Sequence, residues 1–263
     1  MFKDNETLYS LLTKDISGDE KQCINFGCQK LDELLGRPNV YGVQRGIITE
    51  FTGFPGSGKT TVCLQLCVDA ILNGKKAVFI DTKGGFNVNR FKDILAAQMK
   101  LRDSITLTMD EMLSNLFVIH LTETEQFFNF INNAFRHLLI ENPTITIVAI
   151  DLFPFLLKTI KAEYRDKLRR YRIVHSLVST LQELAVEFNF AVVLTNDFTT
   201  KFNPKTNYSK YVSSLGSHFS TRIGQRILLS KNATENKYYA NLEKSQYNRS
   251  QSVEFQITNN GIE

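Results

Sequence analysis

Gly53-Phe54-Pro55-Gly56-Ser57-Gly58-Lys59-Thr60 fits the pattern G-x-x-x-x-G-K-[ST] in full, and Thr61 follows it. Just upstream, Gly46-Ile-Ile-Thr-Glu-Phe51 reads as a strand. Just downstream, residues 59–72 read as a helix that Asn73-Gly74 stops. A strand that passes through a glycine-rich turn into a helix start makes a site for an anion. The glycines let successive backbone N–H groups turn inward, and the helix N-terminus adds partial positive charge. Lys59 is placed to reach the outer phosphates as a point charge, and the Thr60 hydroxyl to sit on Mg²⁺. The expected ATP-binding residues are therefore Gly53, Phe54, Pro55, Gly56, Ser57, Gly58, Lys59, Thr60 and Thr61.

Outward from this loop, strand-like and helix-like segments alternate. Residues 76–81, 116–120, 145–151 and 190–195 read as strands, and residues 91–100, 127–140 and 167–188 as helices. Shorter strand-like pieces at 226–230, 238–242 and 253–257 form a β-rich tail. Such alternation predicts an α/β fold with a mostly parallel sheet covered on both faces. The strand 145–151 is apolar until Asp151, so that carboxylate is expected at the C-terminal edge of the sheet, beside the phosphate loop. There it would hold Mg²⁺ through a water, together with Thr60. Residues 1–20 read as a short helix, with Leu8, Leu11 and Leu12 on one face, and a polar break. Residues 21–263 then read as one core, since no Pro- or Gly-rich linker divides them.

The composition agrees. Of 263 residues, 43% are hydrophobic and 22% charged, enough apolar material for one sizeable core. No apolar run approaches the ~20 residues of a membrane span. The polar first residues do not read as a secretory signal, so the expected location is the cytosol or nucleus. A net charge of +4 permits a nucleic-acid partner without requiring one. Cys23, Cys28, Cys63 and Cys67 lack zinc-site spacing and are expected to be reduced thiols, mostly in the core. His120, His137, His175 and His218 are scattered.

The ordered motifs resemble the RecA/RadA recombinase core, a P-loop NTPase with a RecA-like sheet. The resemblance is carried by Cys28-Gln-Lys-Leu-Asp-Glu-Leu-Leu-Gly36, by Gly46-Ile-Ile-Thr-Glu-Phe-Thr-Gly53 with the loop, and by Phe79-Ile-Asp-Thr-Lys-Gly-Gly-Phe86 and Ala191-Val-Val-Leu-Thr-Asn196. Phe153-Pro-Phe155, Thr199-Thr-Lys201 and Leu242-Glu-Lys-Ser245 are similar to the eukaryotic paralogues of the strand-exchange recombinase, the C-type paralogue most of all. The resemblance covers nearly the whole chain. It implies an ATP- and Mg²⁺-binding protein of homologous recombination and double-strand break repair, mitotic or meiotic, in the nucleus. It also implies other paralogues, the recombinase and single-stranded DNA as partners, in a hetero-oligomer.

Three departures from the family pattern stand out. The helix-hairpin-helix domain usual before the core is not seen, nor is a Phe-x-x-Ala peptide in the linker. Lys83 stands where the family has the glutamate that polarises the attacking water, which predicts impaired hydrolysis; losing a general base costs ~10²–10⁴-fold. Asp197 replaces the family's γ-phosphate-sensing glutamine, and a Lys83–Asp197 ion pair is an expectation of the sequence. By the same resemblance, two loops beyond the sheet would meet DNA. The first carries Lys158, Lys161, Arg165, Lys167, Arg169, Arg170 and Arg172; the second, residues 196–216, carries Lys201, Lys205 and Lys210 with Phe202, Tyr208 and Tyr211 between them. These cations would bind phosphates while the rings stack on bases; the alternatives are a solvated helix face and an ordinary mobile loop. Arg226 reads as structural. A DNA-stimulated ATPase, a subunit whose nucleotide only stabilises the fold, and a small-molecule kinase are the rival functions.

Overall fold

A computed structural model of the chain describes residues 23–37, 39–102, 107–156, 167–203, 208–215, 219–232, 234–235 and 237–263. The strands are β1 (Cys23–Ile24), β2 (Val43–Gln44), β3 (Ile48–Gly53), β4 (Lys76–Asp81), β5 (Leu116–His120), β6 (Ile145–Asp151) and β7 (Ala191–Asn196). They continue with β8 (Phe198–Asn203), β9 (Tyr208–Ser213), β10 (Gln225–Asn232), β11 (Lys237–Lys244), β12 (Ser252–Phe255), β13 (Ile257–Thr258) and β14 (Gly261–Ile262). The main sheet has eight strands in the order β12-β11-β10-β3-β7-β6-β4-β5. From β10 to β5 every pairing is parallel, while β10, β11 and β12 pair antiparallel. The expected RecA-like architecture, a mostly parallel sheet flanked by helices with a β-rich C-terminal end, is what the chain adopts.

Strand periodicity explains why both faces are covered. Along β4, Ala77 and Phe79 join one core while Val78 and Ile80 join the other. Successive side chains point to opposite faces, so a strand apolar at every position needs a layer on each side. The first layer includes the helices Gln29–Leu35, Lys59–Leu72 and Val88–Lys100; the second includes Thr124–Asn129, Phe135–Glu141 and Lys167–Glu187.

Several boundaries differ from the sequence reading, each for a local reason. β3 starts at Ile48 because Gly46 has φ +74°, and it runs on to Gly53 because Thr52 pairs with Asn196 and Gly53 with Leu229. The helix expected at 91 begins at Val88, where the Asn87 side chain accepts from Arg90 N at 3.0 Å. The helix expected over 127–140 contains a π turn at Phe130–Ala134. Phe127, Ile131, Phe135 and Leu139 are all buried. Their four-residue spacing overruns a turn of about 3.6 residues, and the wider π turn takes up the excess. The stretch expected as a second loop holds a hairpin, β8 against β9, with Lys201 opposite Lys210. The expected helix within residues 1–20 lies outside the described residues.

Candidate nucleotide site

Sheet order gathers the candidate residues. The C-terminal ends of β3, β7, β6 and β4 lie side by side and carry Gly53, Asn196, Asp151 and Asp81; Thr52 is in register with Asn196, and Asp81 with Asp151. A cavity of about 460 Å³ opens there. Pro55, Gly56, Gly58, Lys59, Thr60, Thr61, Asp151, Lys83 and Asp197 line it, as do Leu152 and Tyr238. Gly53, Phe54 and Ser57 belong to the loop without lining the cavity.

The loop needs its glycines. Gly58 caps the helix Lys59–Leu72 at φ +94°, and a Cβ there would strike Ile257; a Cβ on Gly53 would strike the Leu229 carbonyl oxygen. Lys59 is 8% exposed, and its ammonium donates to Gly53 O at 2.7 Å and Phe54 O at 2.8 Å. The buried Ser57 hydroxyl has no hydrogen-bond partner among the described residues. A glycine-built loop that brings a lysine ammonium and a helix start to the cavity fits a phosphate group.

The metal-side pair is also assembled. Thr60 Oγ1 donates to Asp151 Oδ2 at 2.8 Å, and Thr195 Oγ1 donates to Asp151 Oδ1 at 2.6 Å. Thr195 Oγ1 also accepts from Leu152 N at 2.6 Å. Thr82 Oγ1 lies 2.8 Å from Asp151 O and 2.9 Å from Leu152 O, both acceptors for its single proton. Leu152 itself has φ +59°. Burial pushes the Asp151 carboxyl above the ordinary aspartate range; the Thr195 and Thr60 hydroxyls and Lys59 pull it down, and Asp81 pushes it up. A desolvated carboxylate beside a hydroxyl is a hard oxygen pair, which suits Mg²⁺.

A model of the Rad51 family matches residues 19–263. The chain belongs to the Rad51 family. Among its relatives, the DNA repair and recombination protein RadB of Methanosphaera stadtmanae is 26% identical over 233 residues, covering 88% of this chain and 92% of the relative. RadB of Methanococcoides burtonii is 26% identical over 244 residues, 92% of this chain and 98% of the relative. The DNA repair and recombination protein RadA of Aeropyrum pernix is 28% identical over 269 residues, 98% of this chain and 77% of the relative.

Within this Rad51-family core, one expected contact is replaced by another. Asp197 pairs with Lys59, Oδ1 to Nζ 3.0 Å, and not with Lys83. The sheet order gives the reason: Asp197 follows β7, which adjoins β3 and so the phosphate loop, whereas Lys83 follows β4, with β6 between. Lys83 is exposed and makes no ion pair among the described residues; its backbone N donates to Asp81 Oδ1 at 3.0 Å. Asp81 also accepts from Gly84 N at 2.8 Å and Phe86 N at 2.7 Å. Burial pushes its carboxyl up, and the backbone donors of Phe86, Gly85, Lys83 and Gly84 together outweigh that, leaving it below the ordinary range. His120 Nδ1 lies 3.4 Å from Asp81 Oδ2.

Arg226 is structural, as expected. Its Nε donates to the fully buried Glu50 at 2.6 Å, and Asn196 Nδ2 donates to the other Glu50 oxygen at 2.5 Å. Of the candidate DNA contacts, Lys167, Arg169 and Arg170 begin the helix Lys167–Glu187, Lys201 lies on β8 and Lys210 on β9. Lys158, Lys161, Arg165 and Lys205 lie outside the described residues, as does His218. Cys28, Cys63 and Cys67 are free and buried, and Cys23 is half-buried. Burial pushes the Cys63 and Cys67 thiols up, which makes them unreactive. Among the described residues no helix is long and apolar enough to cross a membrane.

The sequence reading missed Thr195, Thr82 and the ring contacts of Phe54, which packs between Phe198 at 5.0 Å and Tyr211 at 4.9 Å. A hydroxyl residue at the end of a strand as apolar as β7 was the available signal for Thr195.

Proposed function

We propose that this Rad51-family chain binds Mg·ATP through the loop 53–60 and Asp151, and serves homologous recombination and DNA repair as a nucleotide-gated partner of the strand-exchange recombinase. Its supporting observation is the convergence of Lys59, Thr60 and Asp151 at one sheet edge, with Thr60 Oγ1 2.8 Å from Asp151 Oδ2. When bound, Mg²⁺ supplies charge neutralisation for phosphate oxygens, with Thr60 and Asp151 as the residues to hold it. Lys59 and the loop N–H groups would orient the phosphates, and Asp151 would keep its charge through the hydroxyls of Thr60 and Thr195. Lys83 has no carboxylate with which to accept a proton, so slow hydrolysis goes with this reading.

The RadB and RadA relatives, DNA repair and recombination proteins by name, support a role in recombination and repair. Within that role we assign the chain to the eukaryotic recombinase paralogues, C-type, working in the nucleus beside other paralogues on single-stranded DNA. Titration with a fluorescent ATP analogue in Mg²⁺ tests the site. Lys59→Ala removes charge-assisted hydrogen bonds worth roughly 1.5–3 kcal/mol each, so affinity is expected to fall roughly ten- to a hundredfold. Unchanged affinity refutes the site. Capture of the chain from its own cells tests the role: a second RecA-type chain should come with it in ATP and be lost with Lys59→Ala.

A further inference from the structure

We propose that Asp197 is a built-in anion that occupies Lys59 in the nucleotide-free protein, so that an incoming nucleoside triphosphate must displace it and, in doing so, removes one of the contacts that hold the β8–β9 hairpin to the phosphate loop. This inference rests on the reading of the loop 53–60 as a nucleotide site.

An ammonium has three N–H donors. Lys59 donates to Gly53 O at 2.7 Å and Phe54 O at 2.8 Å, and Asp197 Oδ1 lies 3.0 Å from its Nζ as an ion pair. A phosphate that reaches Lys59 therefore meets three oxygens already gathered around the ammonium. The two carbonyls are neutral, whereas Asp197 carries the same sign of charge as the phosphate. Like charges at one cation repel, so Asp197 is the partner that leaves.

Asp197 is also the root of the hairpin. Phe198 begins β8 directly after it, and the Asp197 carbonyl accepts from Ser214 N at 2.9 Å and Ser214 Oγ at 2.7 Å, just past the end of β9. The hairpin is fastened to the loop at a second point as well. Phe54 sits between Phe198 of β8 and Tyr211 of β9, and Phe54 and Tyr211 stay 45% and 61% exposed. Phe54 lies between the glycines that must close on the phosphate, so among the described residues loop and hairpin are joined by one ion pair and one ring cluster. Loss of the ion pair leaves the exposed ring cluster as the remaining clasp. By linkage, whatever ligand draws the hairpin away should raise nucleotide affinity by the same factor.

The chain contains no tryptophan, so Tyr211→Trp places a single indole against Phe54. Mg·ATPγS binding is measured by calorimetry for the wild-type chain and for Asp197→Asn, which keeps shape and removes charge. The Lys59–Asp197 pair is neither fully exposed nor fully buried, so the expected gain in affinity is roughly tenfold. Saturating Mg·ATPγS should shift indole emission to the red in the Asp197 background and shift it less beside Asp197→Asn. Asp197→Ser, expected to behave as Asp197→Asn, serves if the latter melts early by circular dichroism. Equal nucleotide affinities overturn the proposal, as does indole emission that nucleotide leaves unchanged. Absence of binding to every protein overturns the nucleotide reading itself, a result distinct from binding with equal affinity.

Discussion

Asp32 offers a quantitative test of the fold far from the nucleotide. It lies in the helix Gln29–Leu35, is 6% exposed, and accepts from Phe26 N at 2.7 Å. Burial pushes its carboxyl up to about 7; hydrogen bonds from Phe26 and Gly27 oppose this and Asp69 adds to it. A carboxyl at about 7 when folded and 3.8 when unfolded binds a proton in the native state that the unfolded chain has lost. Its contribution is therefore fully present below pH ~4 and is lost as pH rises to about 7, the reverse of a salt-bridged aspartate. Between pH 5 and pH 8 the loss is about 2–3 kcal/mol, at 1.36 kcal/mol per pH unit over roughly two units. Urea unfolding of the wild type and Asp32→Asn at both pH values isolates it, because Asn keeps the carbonyl acceptor without titrating. Carboxyls that do not interact with Asp32 contribute equally to both proteins and cancel. The wild type should lose about 2–3 kcal/mol more than the variant between the two pH values. A difference below ~0.5 kcal/mol would show that Asp32 is ionised at little cost and would refute the reasoning.

Two further perturbations probe the sheet. Arg226→Ala leaves the Glu50 carboxylate buried with Asn196 as its remaining partner. It should cost about 3–5 kcal/mol by denaturant unfolding. Burial holds the Glu50 carboxyl above its ordinary value even with Arg226 and Asn196 pulling it down, so protonation relieves the loss and the cost should be smaller at pH 5 than at pH 8. Thr195→Val removes the hydroxyl between Asp151 and Leu152 N. It should lower stability by about 1–3 kcal/mol, read as a drop in the urea midpoint with an unchanged slope.

The loop 53–60 and Asp151 were legible because their meaning is local. A glycine-rich turn before a helix and a carboxylate ending an apolar strand each point to one chemistry. Thr195 was not legible as a bridge, because its partner Asp151 lies 44 positions away and only the pairing of β6 with β7 brings them together. The partner of Asp197 was misjudged for a similar reason. Sequence places Lys59, Lys83 and Asp197 at one sheet edge, but which lysine Asp197 meets depends on strand order, a long-range property. The hairpin was overlooked because Thr199 to Phe202 and Tyr208 to Val212 give short, weak alternation; its pairing and its contact with Phe54 hold it in place. The π turn shows the converse, where an obvious helical signal hid a spacing of four that an unbroken α-helix could not keep on one face.

The left-handed Leu152 has a mechanical consequence. A non-glycine residue in that region costs of order 1–2 kcal/mol, and the Thr82 and Thr195 hydroxyls both clamp it there. The same two hydroxyls touch Asp151, one through its carbonyl and one through its carboxylate. The carboxylate's aim and the heading of the chain as it leaves the sheet are thus set by one pivot with two arms. A force that relaxes Leu152 from the far side must swing Asp151, and a charge that captures Asp151 must stiffen the departure of the chain beyond it.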